Sequence, residues 1–324
     1  MLLVKGADFF VDGSSSVAKI LRIPSVIVGV TVVSLGTSLP ELAVSTTAAL
    51  KGANEIALSN VIGSNMFNFM VVLGVTAIIY KKGVPVKESL LKVEFPLNLI
   101  VTFALIIMSM DIFIRSGFAK IVKVFKPSNK EVLTGTISRI DGIILLIVFI
   151  AFMIYTVRAA IKARNEASDQ EDDGKKKSVA VALTLIVVGI VMIKFGGDFV
   201  VNAAQKIATA FGMSQTLIGL TIVACGTSLP ELVTSVVAAK KGECDLAVGN
   251  AIGSNLFNML FILGVSTSIH AVDVFAASVV DLCVLLFMCI VGTIFCKRKN
   301  SINAGEGVVM TGIYILYIVY AIIR

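Results

Sequence analysis

The chain has 324 residues, of which 57% are hydrophobic and only 15% charged, and its mean hydropathy is +0.96. A soluble domain of this length carries far more charge, so the soluble globular classes are excluded. The net charge of +7 lies between apolar runs and not in a basic domain, which points to membrane orientation and away from nucleic acid.

Apolar stretches of about 20 residues, enough for a helix to cross a bilayer, predict helices over 1–20, 24–50, 55–80, 94–113, 139–163, 178–209, 214–239, 245–269, 272–296 and 304–323. The expected fold class is an all-α polytopic membrane protein with about ten transmembrane helices. Residues 1–163 and 178–324 form two five-helix units, joined by a short polar linker at 164–177 that carries Asp169, Glu171, Asp172, Asp173 and Lys175-Lys176-Lys177. The first helix is short. Gly6-Ala7-Asp8-Phe9 matches Gly196-Gly197-Asp198-Phe199, yet only five residues precede it, whereas the second copy follows a full apolar run. The expectation is that about a dozen residues of the first helix are missing. No cleavable signal peptide is evident.

Placing the linker in the cytoplasm puts 17 of the 28 Lys and Arg inside, as the positive-inside rule requires. Residues 114–139 are basic and fall outside in this orientation; a surface helix in the headgroup region accounts for them. The five cysteines have no metal-ligand spacing and read as small buried side chains. His270 reads as a polar residue at a helix end.

Gly36-Thr37-Ser38-Leu39-Pro40-Glu41 returns 190 positions later as Gly226-Thr227-Ser228-Leu229-Pro230-Glu231. Gly29–Gly74 and Gly219–Gly264 align without a gap, with 25 identities in 46 positions, which is internal duplication. Five helices separate the copies. An odd number reverses direction, so the two units are inverted repeats, whose substrate sites lie at the repeat interface near the midplane.

Each copy has the same chemistry. Pro40 and Pro230 lack an N–H, which frees the carbonyls of Gly36 and Gly226 from helical pairing. In hydrocarbon such a carbonyl needs another partner. Thr37, Ser38, Thr227 and Ser228 add hydroxyls, and Glu41 and Glu231 add carboxylates. Oxygen donors without thiolate or imidazole suit hard cations such as Ca²⁺ and Na⁺. A second repeated element, Gly63-Ser64-Asn65-Met66-Phe67-Asn68 and Gly253-Ser254-Asn255-Leu256-Phe257-Asn258, puts Ser64 with Asn68, and Ser254 with Asn258, on one helix face. Gly63 and Gly253 allow a break or a close helix approach. An intramembrane carboxylate costs at least ~2.5–3.5 kcal/mol, and two also repel. One Ca²⁺ or two Na⁺ neutralises the pair, so exchange of these loads is the expected function. Asp8 and Asp198 are duplicated too, and a structural or pathway role is favoured over direct ion binding. Glu55 and Asp245 read as helix-capping or entrance residues.

The twin GTSLPE and GSNxFN motifs resemble the alpha repeats of the sodium/calcium exchangers in the cation/calcium exchanger superfamily, over nearly the whole chain. The short linker is similar to that of the compact prokaryotic members. The resemblance implies Na⁺/Ca²⁺ antiport by alternating access in a prokaryotic plasma membrane, with the helices at 1–20 and 178–209 sliding over a rigid core. It implies no enzyme activity, no resident cofactor and no obligatory protein partner. By resemblance, Glu41 and Glu231 bind calcium, and Thr37, Ser38, Thr227 and Ser228 help bind sodium. Ser64, Asn68, Ser254 and Asn258 are the polar positions of the opposing helices, and Ser34 and Ala224 offer backbone carbonyls to sodium. Asn258 stands where some members carry an aspartate, leaving two central carboxylates. The rival readings are a H⁺-coupled or K⁺-dependent exchanger of the same fold, a passive cation channel and an intramembrane hydrolase. The last lacks a partnered nucleophile or a HExxH motif.

Overall fold

Helix dominates the backbone of this computed structural model, which describes residues 1–111, 132–166, 178–211 and 224–323. In chain order the helices are α1 (Leu2–Leu21), α2 (Ser25–Thr37), α3 (Leu39–Leu50), α4 (Glu55–Ile79), α5 (Glu88–Met108), α6 (Arg139–Glu166), α7 (Val179–Ala210), α8 (Ala224–Gly226), α9 (Leu229–Lys240), α10 (Cys244–Ile269), α11 (Ala276–Lys299) and α12 (Ala304–Ile323). Seven of them, α4 to α7 and α10 to α12, are long and apolar enough to cross a membrane, and α2 with α3 passes as an eighth, bent span. The chain is a polytopic helical membrane protein.

The predicted helix at 24–50 is broken at the motif: α2 and α3 meet at 50°, with Ser38 at φ −85°, ψ 8° between them. Ser228 has nearly the same geometry, φ −95°, ψ 7°, before α9. Pro40 and Pro230 fall in the first turn of the next helix, where a missing N–H costs no helical bond. Of the break or close approach expected at Gly63 and Gly253, the structure shows no break at either and a close approach at Gly253, on the backbone of Val30. α4 and α10 run through both glycines and loosen further on, into π-helical segments at Asn68–Val72 and Phe257–Ile262.

Four short strands were not foreseen. β1 (Val84–Pro85) pairs with β4 (Ser301–Ile302), and β2 (Leu133–Ile137) pairs with β3 (Val272–Phe275), both antiparallel. The helix expected from 272 therefore starts at Ala276. The described part of the basic stretch at 114–139 contains β2 and the start of α6; residues 112–131, with the expected surface helix, lie outside the described residues. So do residues 167–177 of the linker and 212–223 of the predicted helix at 214–239.

Burial sorts the helices. The apolar window of α10 is 94% buried and that of α4 78%, whereas α12 is 17% and α6 22% buried. The motif helices are therefore central, and the outer ones present apolar surface, as lipid contact requires. α1 (20 residues) and α7 (32 residues) pack antiparallel along each other. Gly13 and Gly189 allow this approach: a Cβ on Gly13 would lie 2.7 Å from the Ala182 carbonyl oxygen, and one on Gly189 2.7 Å from the Phe10 nitrogen. Of the cysteines, Cys244, Cys289 and Cys296 are buried and Cys225 and Cys283 half-buried, all five as free thiols. His270 caps the end of α10 at the surface.

Candidate cation-binding site

Each broken helix directs its halves at the same central region. The short turn ending at Thr37 presents helix C-terminal carbonyls, and Glu41 sits in the first turn of α3, where the positive end of the helix dipole supports a carboxylate. Glu231 has the same place in α9. Both are fully buried, as are Ser34, Thr37, Ser64, Asn68, Ser254 and Asn258, with Ser38 and Ser228 at 2% exposure or less. Thr227 is half-buried.

The two halves are cross-linked through the carboxylates. Ser228 Oγ donates to Glu41 Oε1 at 3.0 Å, and Ser38 Oγ donates to Glu231 Oε1 at 3.0 Å. Ser64 Oγ adds a longer bond to Glu41 Oε1, at 3.4 Å. Each carboxylate keeps its other oxygen, Oε2, buried with no hydrogen-bond partner. Thr227 Oγ1, Ser254 Oγ, both amide atoms of Asn68 and Asn258 Oδ1 are also unpartnered. Buried oxygens without donors are costly in protein and are what a dehydrated cation requires. Among the described residues no group of three or more His, Cys, Asp or Glu is placed to hold a metal ion. Two carboxylates, neutral hydroxyls, amide oxygens and backbone carbonyls must therefore hold any ion here.

Some predicted positions do other work. Thr37 Oγ1 donates to Asn250 Oδ1 at 3.0 Å as well as to its own helix. The Ser34 hydroxyl donates to the carbonyls of Gly29, at 2.8 Å, and Asn250, at 3.2 Å, and so ties α2 to α10. Ala224 falls in the three-residue helix α8, matching Ser34 in sequence without its hydroxyl.

Sequence reasoning passed over the asparagines that brace the site. Asn65 and Asn255 exchange hydrogen bonds, each side-chain amide donating to the other's backbone carbonyl at 3.4 Å. Asn258 Nδ2 donates to Asn65 Oδ1 at 3.0 Å. Asn60 reaches the Glu41 carbonyl and Ser45 Oγ, and Asn250 reaches the Glu231 carbonyl and Ser235 Oγ, in matching geometry. All of these were visible as identities between the copies.

Beside the site, α1 is fastened to the end of α9 and the turn after it. Lys241 Nζ binds Asp8 and lies 2.6 Å from Asp12 Oδ1, and Ser15 Oγ donates to Glu243. Lys5 also pairs with Asp8, at 3.5 Å. The equivalent Asp198 pairs with Lys194 on its own helix, at 3.1 Å. Asp245, in the first turn of α10, pairs with Lys87 at 3.4 Å. The two halves are not buried alike. Thr234, on α9, is 1% exposed, but its equivalent Val44, on α3, is 39% exposed, and α1 packs on α9.

Comparison with known proteins agrees with this geometry. The family profile described as sodium/calcium exchanger protein matches residues 1–158 and 181–323. The inner membrane protein YrbG of Escherichia coli is 31% identical over 98% of this chain and 93% of its own length. The sodium/calcium exchanger MaX1 of Methanosarcina acetivorans is 31% identical over 98% of this chain and 95% of its own. The solved structure of the sodium-calcium exchanger NCX_Mj soaked with Na⁺ superposes with a TM-score of 0.78, at 31% identity, over 98% of this chain and 94% of that one. On this evidence the chain belongs to the sodium/calcium exchanger family.

Proposed function

We propose that this protein exchanges Na⁺ for Ca²⁺ across a prokaryotic plasma membrane, with both ions bound in turn at Glu41 and Glu231. One observation carries the reading: two buried carboxylates from the two repeats, each with a bare oxygen, are bonded across the repeat boundary by Ser228 and Ser38. Ca²⁺ or two Na⁺ cancels the paired charge. The empty pair is costly to bury, so the carrier resists reorienting unloaded. That resistance couples the ions. Thr37, Ser38, Thr227, Ser228, Ser64, Asn68, Ser254, Asn258 and the carbonyls at Ser34 and Ala224 supply the neutral oxygens.

The repeats are assigned to 1–163 and 178–324 in opposite membrane directions, with α1 and the α8–α9 segment completing ten spans and the linker cytoplasmic. The reciprocal Asn65–Asn255 bonds support this, because a two-fold axis relates equal partners in that way. Access alternates as α1 and α7 move over the core. The covered Thr234 and uncovered Val44 fit a state closed on the Lys241 side and open on the Lys51 side.

The test is calcium uptake into proteoliposomes under an outward Na⁺ gradient, a pH gradient, or neither. Uptake must follow the Na⁺ gradient. Uptake driven only by pH would support the proton-coupled exchanger instead, and equal uptake with no gradient would support a channel.

A further inference from the structure

A third buried carboxylate lies outside the paired motifs. Glu94, near the start of α5, is 8% exposed, and its Oε2 has no hydrogen-bond partner. It lies beyond the repeated segments, which end at Gly74 and Gly264, so it does not belong to the duplicated ion motifs. The lysines close to it in sequence are engaged elsewhere, Lys87 with Asp245 at 3.4 Å and Lys92 with Glu88 at 2.8 Å. Glu94 instead helps to line a cavity of about 290 Å³ between α2, α5 and α6.

The walls of this cavity define its occupant. Val26, Ile27, Val30 and Leu90 make it largely apolar, while Lys87 and Ser89 stand at the rim. Both rim residues are exposed, and Tyr155, on the far wall, is 45% exposed on the apolar outer helix α6. The opening thus lies where the lipid-facing surface meets the polar loop before α5. A lone carboxylate is too little for a divalent cation, which takes several oxygen ligands. It matches one ammonium group, which brings both the charge and the hydrogen-bond donors that the bare oxygen needs.

We propose that this cavity binds a phospholipid whose headgroup ends in a primary amine. Glu94 accepts hydrogen bonds from the ammonium, Ser89 at the rim faces the phosphate, and the apolar walls take the glycerol and first acyl carbons. The occupant would touch Val30, whose backbone packs on Gly253 of the second ion-site motif, so the lipid braces the wall of the ion site.

The experiment uses the full chain in nanodiscs holding equal phosphatidylethanolamine and phosphatidylcholine, released gently and weighed by native mass spectrometry. The choline head carries the same charge but no N–H donors. The expected result is about tenfold more retained ethanolamine lipid, the factor set by one charge-assisted hydrogen bond. Glu94→Gln is expected to lose the preference. Ala159→Leu, which fills the cavity but keeps the carboxylate, is expected to lose retention, so the proposal stays testable should Glu94→Gln fail to fold. Equal retention of both lipids, an unchanged preference in Glu94→Gln, or unchanged retention in Ala159→Leu overturns it. Displacement of the lipid by free ethanolamine at equal concentration overturns the lipid as the source of the amine.

Discussion

Lys241→Met should release α1 and change which side of the protein is open. In the present state one ammonium holds both Asp8 and Asp12. The side chains are 28%, 31% and 41% exposed, so each ion pair is worth only about 0.5–1 kcal/mol. Losing both removes about 1–2 kcal/mol from this state, while the Ser15–Glu243 bond survives. The mirror position offers less: Lys51 could meet Asp198, but Asn202, Gln205 and Ala53 replace Asp12, Ser15 and Glu243. The equilibrium should therefore move about 5- to 30-fold toward opening on the Lys241 side. Thr234→Cys in a cysteine-free background reports this, because Thr234 is sealed now. Its labelling by a membrane-impermeant maleimide, applied from the Lys241 side of oriented vesicles, should speed up by that factor in Lys241→Met. Lys51→Met, which can only weaken the mirror state, should not speed it up. Equal labelling with and without Lys241, or an equal effect of the Lys51 substitution, would refute the reasoning.

Glu41→Gln and Glu231→Gln should each abolish sodium-driven calcium uptake, since either leaves one charge against a divalent ion; normal transport by either removes that residue from the site. In a melting experiment, Ca²⁺ at a hundred times its dissociation constant should stabilise the unsubstituted protein by about 2.7 kcal/mol, and neither Gln variant should respond. Gly253→Ala should cost about 1–3 kcal/mol in stability, because its Cβ would lie 2.7 Å from the backbone of Val30. Gly63→Ala, whose Cβ meets nothing within 4 Å among the described residues, should change the melting midpoint little. Equal midpoints for the two alanine variants would contradict the close approach of α2 and α10.

Duplication explains what the sequence made legible. A buried carboxylate such as Glu41 has many bland explanations alone, but a copy at Glu231 with the same flanking Thr, Ser and Pro is too costly to keep in a membrane without a ligand. The hydroxyls and the second motif followed by the same logic. The helix break at Ser38 was legible from Pro40 and its copy, whereas the partners that brace the site were less so. Of the two readings of the repeated glycine, a break or a close approach, Gly253 takes the close approach, and α10 loosens only after it, in a π segment that nothing in the sequence marked. Asn65 and Asn255 were repeated yet overlooked, since only the assembled halves show that each one bonds the other's backbone.

Residues present in one copy alone were silent by construction. Glu243 aligns with Ala53 and Asp12 with Asn202, and Glu94 lies beyond the repeated segments, so a reading built on repetition discards them. Yet two perfectly equivalent halves would hold the inward and outward states at equal energy, apart from the membrane's own asymmetry. The unequal fastening of α1 by Lys241, Asp12 and Glu243 is where this chain can set its resting side. Under the proposed exchange, the repeated residues define what is bound, and the unrepeated ones decide from which side it is met.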